Sequence, residues 1–280
     1  MKEKHCDISI GENKTKAYET KKGMTFSTQE RRQEVARTLD AFPRLSVQEL
    51  SHLFSVSQVT IRKDLSWLEE RLLVVRTHGG AVSRRSGGLE PAFAIREQVQ
   101  MTAKERIARL ASTLVQDGDT IALDASTTNL TLASFLKGRR ELTVVTNGLK
   151  AAMELSSQSG ISVLMAGGML RQESLSLVGT WGTGVLEQIH IKTAFVGARG
   201  LTLEEGLTEV SSEEVAFKRA LLSSVREVVA LVDHTKWGQV ALATFCPLER
   251  LKLVITDAQA PESIIQQMKK RGIDVWQAEM

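Results

Sequence analysis

Residues 45–70 read LSVQELSHLFSVSQVTIRKDLSWLEE, and this stretch decides how the first third of the chain folds. Ser46 precedes an apolar stripe at Val47, Leu50 and Leu53, the spacing of one face of a short helix with a serine cap. Phe54-Ser55-Val56 breaks the period and reads as a tight turn. Ser57 is a second cap, after which Ile61, Leu65 and Leu68 recur on one helical face. Two short amphipathic helices joined this way form a helix-turn-helix, whose second helix puts its first residues into the DNA major groove. Ser57, Gln58, Thr60, Arg62 and Lys63 stand there. Glutamine can bond adenine bidentately, arginine can grip guanine O6 and N7, and threonine suits a thymine methyl or a phosphate. Lysine holds phosphate better than it reads a base. A three-helix protein-interaction module with a solvated basic face would share the bare pattern.

Working outward, Ser27 with Glu30 forms a capping box, and Val35, Leu39 and Phe42 share a face until Pro43 ends the helix. Downstream, Leu72–Arg76 and Ala81–Ser83 flank Thr77-His78-Gly79-Gly80, a β-hairpin in the place of a wing. Arg76, His78, Arg84 and Arg85 then face phosphates or the minor groove. Residues 1–26 are polar and lysine-rich and read as a mobile tail. Ser83–Gly88 reads as a flexible basic linker. The expected organisation is a tail over 1–26, a winged helix-turn-helix over 27–83, a linker over 84–93 and a second domain over 94–280.

Composition supports two domains: 280 residues, 42% hydrophobic and 25% charged, exclude fibrous and largely disordered classes. The net charge of +3 hides an asymmetry. Residues 1–88 carry 16 bases and 11 acids, whereas the rest carries 20 and 22. A basic amino-terminal third implies an anionic partner. No window approaches the roughly 18 apolar residues of a membrane span, and no apolar segment follows the charged start, so a cytoplasmic protein with no membrane partner is expected. Cys6 and Cys246 cannot build a disulfide framework or a four-ligand zinc site, and no metal or cofactor is expected.

Beyond the linker, 92–116 has a helical period ending at Asp117-Gly118. Seven strand candidates then alternate with helices: 120–124, 142–146, 161–166, 193–197, 228–233, 253–256 and 273–276. This is an α/β domain with a mostly parallel sheet. Ligands in such sheets settle beyond the strands' carboxyl ends, at helix N-termini. Asp124-Ala125-Ser126-Thr127-Thr128-Asn129 follows the first strand, with a helix expected over 130–136. Asn147-Gly148 ends the second strand, Gly167-Gly168 the third and Gly197-Ala198-Arg199 the fourth. Asp233-His234-Thr235-Lys236 ends the fifth, where an aspartate and a lysine could hold a sugar hydroxyl and a phosphate. Each cluster alone also fits ordinary capping or turn closure; together they outline an anion pocket. Trp67, Trp181, Trp237 and Trp276 read as core or pocket-edge residues.

Val56–Leu65, followed by Arg76-Thr77-His78-Gly79-Gly80-Ala81, resembles the signature of the DeoR family of bacterial sugar-metabolism regulators. Arg62-Lys63 stands where that family more usually has two arginines. Lys104–Ala108, Asp117-Gly118-Asp119, Asp124–Thr128, Thr146-Asn147, Gly167-Gly168 and Asp233–Lys236 resemble the family's effector domain, which is similar to ribose-5-phosphate isomerases and CoA transferases. The resemblance implies a transcription regulator, most often a repressor, of carbohydrate metabolism. It implies a double-stranded DNA operator and a phosphorylated sugar effector near Asp124, Ser126, Thr127, Thr128, Asn147, Gly167, Gly168, Asp233 and Lys236. The family usually reads Asp-Ser-Gly-Thr-Thr, so Ser126 replaces a glycine and either crowds a phosphate or adds a hydroxyl bond. A second reading is an active sugar-phosphate isomerase with a DNA-binding appendage, using Asp124, Asp233 and Lys236; no further acidic cluster marks a committed base, so no catalytic residue is assigned. A single winged helix reads only a short half-site, so a homo-oligomer, dimer or tetramer, is expected.

Overall fold

A computed structural model of the chain describes residues 26–41, 45–70, 74–77, 79–83 and 93–279. The chain divides into two compact units, Met1–Pro91 and Ala92–Met280. The expected tail, apart from Phe26, lies outside the described residues, as do Phe42, Pro43, Leu72, His78, Arg84, Arg85 and all but the last residue of the expected linker.

In the first unit, α1 (Thr28–Ala41) leads to β1 (Leu45–Ser46), α2 (Val47–Leu53), α3 (Gln58–Glu70), β2 (Val74–Thr77) and β3 (Gly80–Ser83). Reciprocal capping boxes start two helices. Glu30 N–H donates to Ser27 Oγ at 3.3 Å while Ser27 N–H donates to Glu30 Oε2 at 2.9 Å. Ser46 and Glu49 repeat the arrangement at 3.0 and 2.7 Å. The turn between α2 and α3 passes through Ser55 at φ +52°, and the Ser51 hydroxyl donates to Val56 O at 2.6 Å across it. Val35, Leu39, Leu50, Ile61, Leu65 and Leu68 close a small core. The wing is larger than the expected hairpin: Leu45–Ser46 adds a third strand, giving the order β1-β3-β2. Two residues are too few to show a strand period. Their approach requires Gly80, where a Cβ would stand 2.2 Å from Leu45 O.

The second unit opens with α4 (Phe93–Gln98) and α5 (Met101–Ser112). A single helix over 92–116 is therefore corrected: Gln100 at φ +55° breaks the ladder, and the helix ends at Ser112. Apolar spacing is blind to a one-residue break that leaves the same face inward. Then come β4 (Thr120–Leu123), α6 (Thr127–Phe135), β5 (Leu142–Thr146), α7 (Leu149–Ser156), β6 (Ile161–Met165) and a hairpin of β7 (Met169–Arg171) and β8 (Ser176–Val178). After β9 (Ile191–Val196) follow β10 (Gly200–Thr202), β11 (Gly206–Glu209), α8 (Ser212–Ser223), β12 (Val225–Leu231) and β13 (Ala243–Cys246). The chain closes with β14 (Leu253–Asp257), α9 (Glu262–Lys270) and β15 (Asp274–Ala278). α6 starts at Thr127 rather than 130, because Ser126 caps it and its hydroxyl accepts Asn129 N–H at 3.3 Å.

Seven strands form one parallel sheet in the order β15-β14-β12-β9-β4-β5-β6. Both faces are buried, as apolar strands of a parallel sheet require. Ile121, Leu123, Phe195, Val229, Leu231 and Ile255 face one way, against Ile107, Ala111, Leu132 and Leu155 of α5, α6 and α7. The alternate residues Ala122, Ala194, Val196, Val228, Ala230 and Val254 face Phe217, Leu221, Ile265 and Met268 of α8 and α9. Each fully buried leucine or phenylalanine is worth on the order of 2 kcal/mol. The chain lays β5 and β6 on one side of β4, then places β9 on the other, so the strand order reverses at β4 and β9. This switch point positions the site.

Candidate nucleic-acid interface and anion site

On α3, Gln58, Arg62 and Lys63 are exposed, and the Arg62 guanidinium donates to Gln58 Oε1 at 3.2 Å one turn away. Thr60 differs from its expected position opposite the apolar face. It is half-buried, with its hydroxyl 2.9 Å from that of Ser57, whose Oγ also accepts Thr60 N–H at 3.1 Å. Arg76 of β2 is exposed and strapped to the flank of α3, its guanidinium donating to Ser66 Oγ at 3.0 Å and its N–H to Glu69 Oε1 at 3.3 Å. Val59 was missed from sequence: it is 59% exposed beside the exposed polar side chains of α3, three and four residues before Arg62 and Lys63.

Asp64 was missed too. It is buried under α3, and its two oxygens accept Arg31 Nε at 2.6 Å and Arg32 Nε at 2.9 Å. Arg32 also lies 4.7 Å from the centre of the Trp67 ring.

At the switch point the Asp124 carboxylate is fully enclosed. Oδ1 accepts Ser126 N–H at 3.0 Å and Asn129 Nδ2 at 2.7 Å; Oδ2 accepts Gly197 N–H at 2.8 Å and faces Lys218 Nζ at 3.0 Å. It ties the end of β4 to the end of β9. Ser126 sits at φ −73° and caps α6, so the position that the family fills with glycine needs none here. Gly197 across from it does, because a Cβ there would stand 2.5 Å from Ser126 Cβ. Thr127 and Thr128 are buried. Their N–H groups are the first of α6 and have no acceptor among the described residues. Asn147 is buried with Nδ2 donating to Leu177 O at 3.1 Å; its Oδ1 and that of Asn129 have no partner among the described residues.

A buried ionic cluster backs this turn. Lys218 Nζ donates to Gly197 O and Glu209 Oε2, each at 2.8 Å, and Arg199 Nε lies 3.3 Å from Glu209 Oε1. Burial works against the Lys218 ammonium, but Asp124, Glu209 and Glu214 outweigh it and raise its pKa. Burial likewise works against the Glu209 carboxylate, yet Lys218 and Arg199 hold its pKa down at about 2. The sequence signal was available: Glu214 and Lys218 lie in the buried stripe of α8 with Val215, Phe217, Leu221 and Leu222.

Beyond β12, Asp233 Oδ1 accepts the Thr235 N–H at 2.9 Å and the Thr235 hydroxyl, while Lys236 Nζ stands 3.8 Å from Asp233 Oδ2. Burial opposes the Asp233 charge, but Lys236 and the Thr235 bonds leave its pKa lowered. Asp257 clamps His234, accepting its N–H at 2.6 Å and meeting Nδ1 at 2.7 Å; that bond raises the histidine pKa against the effect of burial. The ends of β4 and β12 are two strand spacings apart, about 10 Å, and the ends of β6 and β12 four, about 19 Å. The start of α6 therefore stands two strands from Asp233 and Lys236, whereas Gly167 and Gly168 stand four strands from them. Gly168 instead lines an open cleft of about 540 Å³ with Met169, Arg171 and Trp181, whose ring is 90% exposed. No described helix is long and apolar enough to cross a membrane.

Comparison with known proteins fits both halves of this geometry. The DeoR-like helix-turn-helix domain matches residues 31–86, and the DeoR C terminal sensor domain matches residues 99–258. HTH-type transcriptional regulator GolR of Listeria innocua is 40% identical over 250 residues, covering 89% of this chain and 98% of its own. The glycerol-3-phosphate regulon repressor of Escherichia coli is 32% identical over 231 residues, covering 82% and 91%. Among solved structures, ribose 5-phosphate isomerase A of Methanocaldococcus jannaschii is similar at 22% identity and a TM-score of 0.35, over 48% of this chain and 53% of that one. With a DNA-reading helix and wing in one unit and a sensor sheet in the other, the chain belongs to the DeoR family of transcriptional regulators.

Proposed function

We propose that the chain represses a carbohydrate-metabolism operon and is released from its operator by a phosphorylated sugar. Relatives named as repressors of the glycerol-3-phosphate regulon and the aga operon support the operon class. In this reading Gln58 and Arg62 read base edges, Val59 meets a thymine methyl, and Ser57, Thr60, Lys63, Arg76 and His78 hold the backbone. The effector phosphate sits at the first amides of α6, with Lys236 and Asp233 across the sheet edge and Asn147 beside it. The observation that carries this is the pair of acceptorless amides at Thr127 and Thr128, facing anions with the positive end of a helix. Asp124 positions this turn rather than touching the ligand.

The same unit senses without turnover. An isomerase needs a free, positioned base, and both oxygens of Asp124 are engaged. The regulator works in the cytoplasm as a homo-oligomer, because one winged helix covers only a half-site. Effector binding releases DNA by favouring one placement of the reading units over another.

A gel-shift titration of the full chain on its own upstream DNA, against a panel of pentose, hexose and triose phosphates, tests this. Release by one phosphate, recovered unconsumed, is expected; release by none, or conversion of the phosphate to an isomer, overturns the reading.

A further inference from the structure

Ten large apolar side chains are exposed among the described residues, and three of them, Met169, Leu170 and Trp181, line the one open cleft beside the β7–β8 hairpin of the sensor unit. Trp181 is 90% exposed and Met169 73%. The indole does not ride on a loose loop: the chain at Gly182 lies so close to the backbone of Gly167 that a Cβ there has no room. A firmly held, solvated tryptophan gains nothing for a single chain, and an apolar patch of this kind marks an interaction surface. The three side chains expose roughly 450 Å², most of the apolar share of the about 800 Å² that each partner gives in a standard interface. The rim decides which partner fits. It carries Arg171, with Glu173 3.9 Å away, and Glu213. Two carboxylates to one guanidinium make a poor seat for a phosphate or for DNA. A rim with both signs suits a copy of itself, because under a two-fold axis the arginine of each chain meets the carboxylates of the other. Shape agrees with charge: a projecting indole beside a cleft of about 540 Å³, far larger than one indole, is a knob next to its own hole.

We propose that this cleft is the two-fold interface between the sensor units of two copies of the chain, with Trp181 of each protomer seated in the cleft of the other. This rests on the homo-oligomeric regulator proposed above and names the surface that joins its copies. A two-fold contact uses every residue twice, so one axis buries two indoles, and Trp181 is the residue on which affinity depends most. Met169 and Leu170 exclude water around it, while Arg171, Glu173 and Glu213 fix the orientation at the rim. The joined pair brings two reading helices to one operator, as a site built of two half-sites requires.

Sedimentation of the full chain over a concentration series tests this. The unmutated chain should dimerise, and Trp181→Ala, at a position exposed in the single chain, should raise the dimer dissociation constant at least about thirtyfold. Charge swaps make the test specific. A chain with Arg171→Glu has an all-acidic rim, and one with both Glu173→Arg and Glu213→Arg an all-basic rim. Each should dissociate alone, and their equimolar mixture should reassociate as a one-to-one dimer. A dimer unmoved by Trp181→Ala, or a mixture no tighter than its components, overturns the assignment. So does a sugar phosphate that shifts Trp181 fluorescence, read against Trp181→Phe, without changing sedimentation, because the cleft is then a ligand pocket. If the variants dissociate as expected but no sugar phosphate releases DNA, the sensing function falls and the interface stands. If a sugar phosphate releases DNA and Trp181→Ala stays dimeric, the interface falls alone. A chain that stays monomeric both free and on operator DNA overturns the interface together with the homo-oligomer.

Discussion

Lys218 on α8 and Lys104 on α5 lie in the same unit, equally removed from water, in opposite company. Lys218 meets two carboxylates and a carbonyl within 3.0 Å, and its charge is reinforced. Lys104 meets one carbonyl, and its charge is weakened. Desolvation penalises both alike; what differs is whether the protein supplies the counter-charge itself. Where it does, the cluster is scaffold and fixes the β4 and β9 turns. Where it does not, the ammonium faces a neutral carbonyl and is the more readily deprotonated of the two.

The largest test of this contrast is Lys218→Met. It leaves Asp124 and Glu209 buried without their shared cation and should cost about 3–5 kcal/mol of sensor-unit stability in urea unfolding; a loss under about 1 kcal/mol would erase the distinction. Alkaline pH separates the two lysines next. The folded pKa of Lys104, about 8, lies below its ordinary value of 10.5. The unfolded chain therefore holds more protons between those values, and stability rises across that window, by on the order of 3 kcal/mol. The sign is opposite for Lys218. Its folded pKa is raised, so its contribution is complete below 10.5 and lost only as pH climbs through the higher folded value. Subtracting the unfolding free energy of Lys104→Met from that of the wild type at each pH isolates the first effect, and a difference that stays constant contradicts it.

The rule extends to the first unit through Asp64→Asn, which leaves Arg31 and Arg32 with a neutral partner. A loss of about 2 kcal/mol in thermal or urea unfolding is expected. The smallest effect separates reading from folding. Arg62→Ala should lower operator discrimination by about 1–3 kcal/mol in competition binding while leaving the unfolding of the sensor unit unchanged; retained discrimination would remove Arg62 from the base-reading set.

All seven strands of the main sheet were legible because doubly buried parallel strands run as apolar stretches such as Ile121–Leu123 and Val228–Val232. The short pieces were not: β1, the β7–β8 hairpin and the β10-β11-β13 sheet have two to four residues each, too few for a period to emerge. Of the site, the strand-end clusters were legible as capping and turn residues, but strand order decides which of them meet, and order is a property of long-range pairing. Asp64, Lys104 and Lys218 share one overlooked signal. Each occupies an apolar stripe of its helix: Asp64 with Ile61, Leu65 and Leu68, Lys104 with Ala103, Ile107 and Ala108, Lys218 with Val215, Phe217 and Leu221. A charge in such a stripe has to find its partner inside the core, guanidinium groups for Asp64, carboxylates for Lys218 and a backbone carbonyl for Lys104.

The Asp64 clamp has a consequence for how tightly the regulator holds DNA at different ionic strengths. Affinity for a polyanion grows with the number of counterions displaced, and each phosphate neutralised by a lysine or arginine adds to the slope of log K against log salt. Arg31 and Arg32 point their charge inward at Asp64, with side chains only 12% and 22% exposed. Two of the cations in the basic third thus displace no counterions. Its salt slope falls short of what its arginine count suggests, and binding survives rising salt better than the raw charge implies.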